Sequence, residues 1–172
     1  MNARRVVVTD VGELAEALRP VAGGLITFDG CDGAGKTTLA LKLSEALGHE
    51  VVDVDKHLNR QMGEYVKAIR LSELASDVES AFARSPVVLL SGICMRQVLV
   101  AINRIATVAV YVQRNTPMGL AGDSDFIDVE SGLEASKDVL SFFTELDREV
   151  YAYHRAYRPR ENADIVFTRI AH

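Results

Sequence analysis

The run Gly30-Cys31-Asp32-Gly33-Ala34-Gly35-Lys36-Thr37 satisfies G-x-x-x-x-G-K-[ST] at every fixed position, a spacing of residue types suited to holding phosphate. Glycines let the backbone wrap closely around a phosphate group. A helix that begins directly after them adds unpaired N–H groups and a partial positive charge. In such a loop Lys36 reaches the β- and γ-phosphates and the Thr37 hydroxyl ligates Mg²⁺. Gly30, Asp32, Gly33, Ala34, Gly35, Lys36 and Thr37 are the expected contacts of a nucleoside triphosphate. Thr38 serves either a phosphate oxygen or the first helical turn. A chance glycine-rich turn would lack the context seen here: an apolar run, Leu25-Ile26-Thr27-Phe28, before the loop and amphipathic spacing from Lys36 to Leu47 after it.

Two acids, Asp53 and Asp55, close the short apolar segment from Glu50 to Val54. Asp55 is a candidate general base or hydroxyl-orienting group and a Mg²⁺ ligand through water; the bland alternative is a helix N-cap. Asp53 is a candidate for acceptor or metal, or else a hydrogen-bonded strand acid. Arg96, just after a later strand, is a candidate clamp for phosphate or acceptor, or a surface arginine. His57 and Tyr65 could stack on an acceptor ring, although packing is the commoner fate of each. Arg158 and Arg160, flanking Pro159, could reach adenine or phosphate, or could simply form a solvated basic loop. The four histidines show no zinc-ligand spacing. Asp123, Asp125 and Asp128 lack the glycine and final glutamate of a calcium loop.

The elements that must position these residues follow from periodicity. Asp10 and Glu13 resemble a capping box ahead of Val11, Leu14, Ala15 and Leu18, which recur at helical spacing. Further apolar runs at Val87–Leu90, Thr107–Val112 and Asp164–Thr168 are expected strands. Helices are expected over Lys36–Leu47, within Gln61–Arg84 with a break near Leu71 or Ser72, and over Leu133–His154. Nearly all-apolar strands alternating with helices imply a parallel sheet covered on both faces. Ligands in such sheets bind at the carboxyl ends of the strands, which puts Gly30, Asp55, Ser91 and Gln113 on one rim.

Several segments together resemble the nucleoside and nucleotide kinases among the P-loop NTPases, uridine kinases in particular. They are Phe28–Thr38, Val51–His57 with Asp55 at the place of the family's acceptor-facing acid, Val87-Val88-Leu89-Leu90-Ser91-Gly92-Ile93, and Tyr153–Pro159 followed by Ala163–Val166. The resemblance implies an α/β fold: a P-loop kinase-like three-layer sandwich whose five-stranded parallel sheet, counted from Leu25, runs in the order 2-3-1-4-5 with helices on both faces. It also implies an ATP- and Mg²⁺-dependent transfer of the γ-phosphoryl group to a small hydroxylated acceptor, and a homodimer as a candidate assembly. In that reading Lys36 and Asp55 are catalytic, Arg158 assists nucleotide binding, Asp53, His57 and Arg96 face the acceptor, and Thr37 with Asp55 holds the metal. Two departures stand out. Ser91 occupies the place of a usual acid. The lid-like stretch 115–132, arginine-rich in the family, has neither Lys nor Arg from Asn115 to Glu130, so cations must come from residues such as Arg96, Arg114, Arg155 or Arg158.

The bulk numbers fit this reading. The 172 residues are 48% hydrophobic and 25% charged with a net charge of −5, consistent with one domain over 1–172 bearing a short N-terminal helical extension at 1–22. The negative charge argues against a nucleic-acid partner. No run is long enough to span a membrane. Two cysteines, one of them inside the glycine-rich loop, point to free thiols and a cytoplasmic setting.

Overall fold

A computed structural model describes residues 5–60 and 64–170. Its centre is a six-stranded sheet whose every pairing is parallel. The strands are β1 (Val6–Val8), β2 (Gly24–Asp29), β3 (Glu50–Asp53), β4 (Val87–Ser91), β5 (Ala106–Asn115) and β6 (Ile165–Ile170). Their spatial order is β1-β6-β5-β2-β4-β3. Counted from Leu25, the five expected strands occur in the expected order. The correction is a sixth strand: Val6–Val8 pairs with Ile165–Phe167 and extends the edge, so the N-terminal extension contains a strand as well as a helix.

The helices are α1 (Val11–Leu18), α2 (Lys36–Leu47), α3 (Leu71–Arg84), α4 (Met95–Ala101), α5 (Ser124–Asp128), α6 (Lys137–Ser141) and α7 (Glu145–Tyr157). Period-2 alternation along β2 divides the core. Ile26 and Phe28 pack with Leu14, Leu18, Leu39 and Leu43 of α1 and α2. Leu25, one residue out of phase, packs with Leu74 and Val78 of α3, Val98 of α4 and Val150 and Tyr153 of α7. Helices therefore cover both faces, and the central strand β2 delivers its carboxyl end to the phosphate loop. Among the described residues no helix is long and apolar enough to cross a membrane.

Local signals explain most boundaries. The Asp10 side chain accepts from the Glu13 amide and starts α1. The helical stretch expected from Gln61 begins outside the described residues, and α3 itself starts at Leu71. The single helix expected over Leu133–His154 is interrupted: α6 ends at Ser141, and Thr144 and Asp147 form a reciprocal capping box that starts α7. The stretch 115–132 is also more ordered than a bare loop. It contains α5 and a 3₁₀ turn over Val129–Ser131, whose Val129 and Glu130 are buried.

Candidate active site

Gly30 can turn the chain only because it lacks a side chain. Its φ is +149°, and a Cβ there would lie 2.4 Å from the Val112 carbonyl oxygen. Gly35, at φ +89°, is the residue from which α2 starts, so the helix N-terminus opens directly onto the loop. Asp32 accepts from the Gly33 amide at 3.0 Å and braces the loop tip. Ala34 is buried, with its amide bonded to the Cys31 carbonyl. Lys36 is 7% exposed, and its ammonium donates to that same carbonyl at 2.6 Å, inside the curl of the loop. Burial holds Lys36 below the ordinary lysine value, and the neighbouring Asp29 charge opposes the shift. Cys31 is buried and its thiol is pushed up to about 12, chiefly by burial; it stays protonated and unreactive.

Thr37 sits on the first turn of α2, the helix covering the face toward which Asp53 and Ser91 point. Asp53 and Ser91 are cross-strand partners at the carboxyl ends of β3 and β4. The Thr37 hydroxyl donates to Asp53 Oδ2 at 3.4 Å and lies 3.5 Å from Ser91 Oγ. These are hard oxygen donors of the kind Mg²⁺ takes, together with substrate phosphates and water, so the donor set fits that ion. Among the described residues no group of three or more His, Cys, Asp or Glu side chains could hold a metal ion unaided.

Asp55 stands in a 3₁₀ turn just beyond β3. The capping role open to it in the sequence falls instead to Asp53, whose Oδ1 accepts from the Asp55 amide at 3.0 Å. Asp55 remains exposed to solvent, with its Oδ1 accepting from the Tyr65 hydroxyl at 2.7 Å. That hydroxyl in turn accepts from the Ile93 amide. Tyr65 is therefore a fixed orienter of Asp55.

Other residues singled out in the sequence are engaged elsewhere. His57 is buried with Nε2 3.0 Å from Asp77. Arg96 donates to the Asn162 carbonyl at 2.7 Å. Arg158 donates to the Glu130 carbonyl and pairs with Glu161. Arg160 donates to Gln113. None of the four makes a hydrogen bond to the loop among the described residues. Thr38 lines a groove of about 710 Å³ with Thr9, Gly35, Lys42, Asn115 and Arg169.

Four features escape single-residue reading. Asp29, the last residue of β2, is buried and accepts from Tyr153 of α7 and from the Gly30 amide. Burial pushes its carboxyl up against the pull of those two bonds. His154 bonds Glu130 at 2.7 Å, with both side chains buried, and its Nε2 approaches Cys31 and Tyr111. Asp123 of the lid-like stretch is pushed up by burial and drawn back by Arg114 and Lys36. Arg169 packs against Gly35, with its guanidinium carbon 2.8 Å from where a Cβ would stand. Phe28-Asp29 adjoining the motif was a signal for Asp29; nothing local marks the rest.

Residues 32–107 match the family model of shikimate kinase. Among the curated proteins no sequence matches. The structure of a possible uridine kinase from Bacillus stearothermophilus superposes with a TM-score of 0.60 at 15% identity, covering 91% of this chain and 96% of that one. The chain has the uridine kinase-like fold of the P-loop kinases. Shikimate kinase from Acinetobacter baumannii in complex with shikimate is 21% identical, with a TM-score of 0.45 over 89% of this chain and 86% of that one. Thymidylate kinase from Candida albicans is 10% identical, with a TM-score of 0.45 over 86% and 84%. Within the P-loop kinase fold of this chain, Lys36 and Thr37 at the start of α2 lie with Asp53 and Ser91 at the carboxyl ends of the edge strand β3 and its neighbour β4, the rim where open α/β sheets bind ligands.

Proposed function

We propose that the protein is a kinase that uses ATP and Mg²⁺ to transfer the γ-phosphoryl group to a small hydroxylated acceptor, with nucleosides among the candidates, in the cytoplasm. The observation that carries the reading is the Thr37 hydroxyl within 3.5 Å of Asp53 and Ser91, one residue after a lysine folded into the loop. Bound Mg²⁺ supplies charge neutralisation at the phosphates. Thr37 and Asp53 would hold it, with Asp55 contributing through water. The loop amides and Lys36 bind the phosphates. Asp55, fixed by Tyr65, orients the acceptor hydroxyl and takes its proton. Positioning and charge neutralisation account for most of the barrier in phosphoryl transfer, so one carboxylate suffices for the acceptor.

A second reading is a nucleotide-binding regulatory module that has lost transfer. Ser91 in place of an acid and the cation-free lid favour it. An antibiotic or sugar phosphotransferase differs from the first reading only in its acceptor.

The test is Mg²⁺-dependent ADP release from ATP across a panel of nucleosides, nucleotides and hydroxylated small molecules, with Lys36→Ala as control. Acceptor-stimulated release that disappears in the control supports the kinase. ATP binding with no stimulation by any acceptor favours the regulatory module.

A further inference from the structure

We infer that Arg114 and Arg169, two arginines borne on adjacent strands, are the phosphate-neutralising cations of the loop and replace an arginine-bearing lid; the inference rests on the phosphate-loop reading above. Arg114 of β5 and Arg169 of β6 are direct register partners in the parallel pair. Both side chains come to the phosphate loop. An Arg114 terminal nitrogen lies 3.7 Å from where a Cβ on Gly33 would stand. The Arg169 guanidinium packs on Gly35, with its carbon, Nε and Nη1 2.8–3.1 Å from the corresponding point, and its remaining nitrogen, Nη2, donates to the Gly33 carbonyl at 3.5 Å. Only a glycine leaves room for that approach.

Their charge is also unspent. Arg19, Arg70, Arg84, Arg104, Arg155 and Arg158 each pair with an acid. Among the described residues neither Arg114 nor Arg169 forms an ion pair. Asp123 of the lid-like stretch lies near enough to feel the charges of Arg114 and Lys36, so the lid brings an acid, and no cation, toward the loop. A guanidinium offers five donors in a fixed fork and suits phosphate oxygens. Carried on strands, these two need no closing motion to arrive. Arg169 also lines the groove beside Thr38, which places it between that groove and the loop.

The experiment is equilibrium binding of a fluorescent, non-hydrolysable ATP analogue and of AMP to the parent protein and to Arg114→Gln, Arg169→Gln, the double variant, both Arg→Lys variants and Lys36→Ala, with thermal melts on each. The inference expects each glutamine to weaken analogue binding by about tenfold, the double variant to weaken it further, AMP to be affected less, and lysine to restore part of the loss. Glutamine variants that melt like the parent and bind the analogue within about twofold of it overturn the inference. If Lys36→Ala still loses binding in that case, the phosphate-loop reading survives alone. A parent protein that binds no analogue overturns both.

Discussion

The Tyr153 hydroxyl donates to the buried carboxylate of Asp29, tying the last helix to the strand that launches the phosphate loop. The same hydroxyl accepts from the Arg96 amide at the start of α4. One phenol thus joins β2, α4 and α7 under the loop, and Asp29 passes the restraint on through the Gly30 amide at 2.8 Å.

Tyr153→Phe is expected to cost about 1–3 kcal/mol at neutral pH, because it removes one of two partners of a buried acid. Burial raises the folded-state pKa of Asp29, so between the ordinary carboxylate value and the raised one the folded state binds more protons than the unfolded chain. Stability therefore falls as pH rises through that window. Tyr153 opposes the rise, so its loss extends the window upward and steepens the fall. Urea denaturation at about pH 5 and about pH 8 checks the sign: the variant should lose more at the higher pH, and Asp29→Asn should flatten the dependence.

Gly30→Ala combines a strained φ with a 2.4 Å approach to the Val112 carbonyl. About 3 kcal/mol or more of destabilisation is expected, together with loss of ATP binding. A thermal melt and a titration with the nucleotide read the two effects. Gly48→Ala provides the comparison: its φ is +72° but nothing lies within 4 Å, so it should pay backbone strain alone and keep binding.

The buried Glu130 carboxylate accepts from the buried His154 at 2.7 Å and from the Arg160 and Glu161 amides at the edge of the core. Glu130→Ala leaves a buried imidazole and two amides without their acceptor. A loss of about 3–5 kcal/mol is expected, and denaturant midpoints measure it. Hydrogen exchange should show the 121–133 segment loosening first.

Asp55→Asn should lower acceptor phosphorylation by about 10²-fold or more while ATP affinity holds. Asp53→Asn should instead raise the Mg²⁺ concentration needed for half-maximal rate. Rates measured against Mg²⁺ and against acceptor separate the two carboxylates. Equal effects of both substitutions on both axes would contradict the division of roles.

The expected five strands were legible because each apolar run is bounded by glycine, proline or a polar turn, whereas their order came from the resemblance to P-loop kinases that the phosphate motif anchors. β1 was not, because Val6 and Val7 are exposed and three residues show no alternation to recognise. The break before α7 carried its own signal, Thr144 with Asp147, hidden inside a longer helical pattern. The Thr37–Asp53 contact follows from strand ends facing a helix N-terminus. The Tyr153–Asp29, His154–Glu130 and Arg169–Gly35 pairings join segments remote in the chain; only packing brings them together, and no local spacing encodes it.

The pairing of Val6 with Ile165 has a consequence for synthesis. The first strand of the sheet can zip only onto β6, closing a loop of nearly the whole described chain at an entropic cost that grows logarithmically with its length. A nascent chain still held before β6 emerges would expose β5 as an open edge and lack Arg169. Nucleotide affinity should therefore arrive only once β6 has emerged, and not when the glycine-rich turn leaves the ribosome.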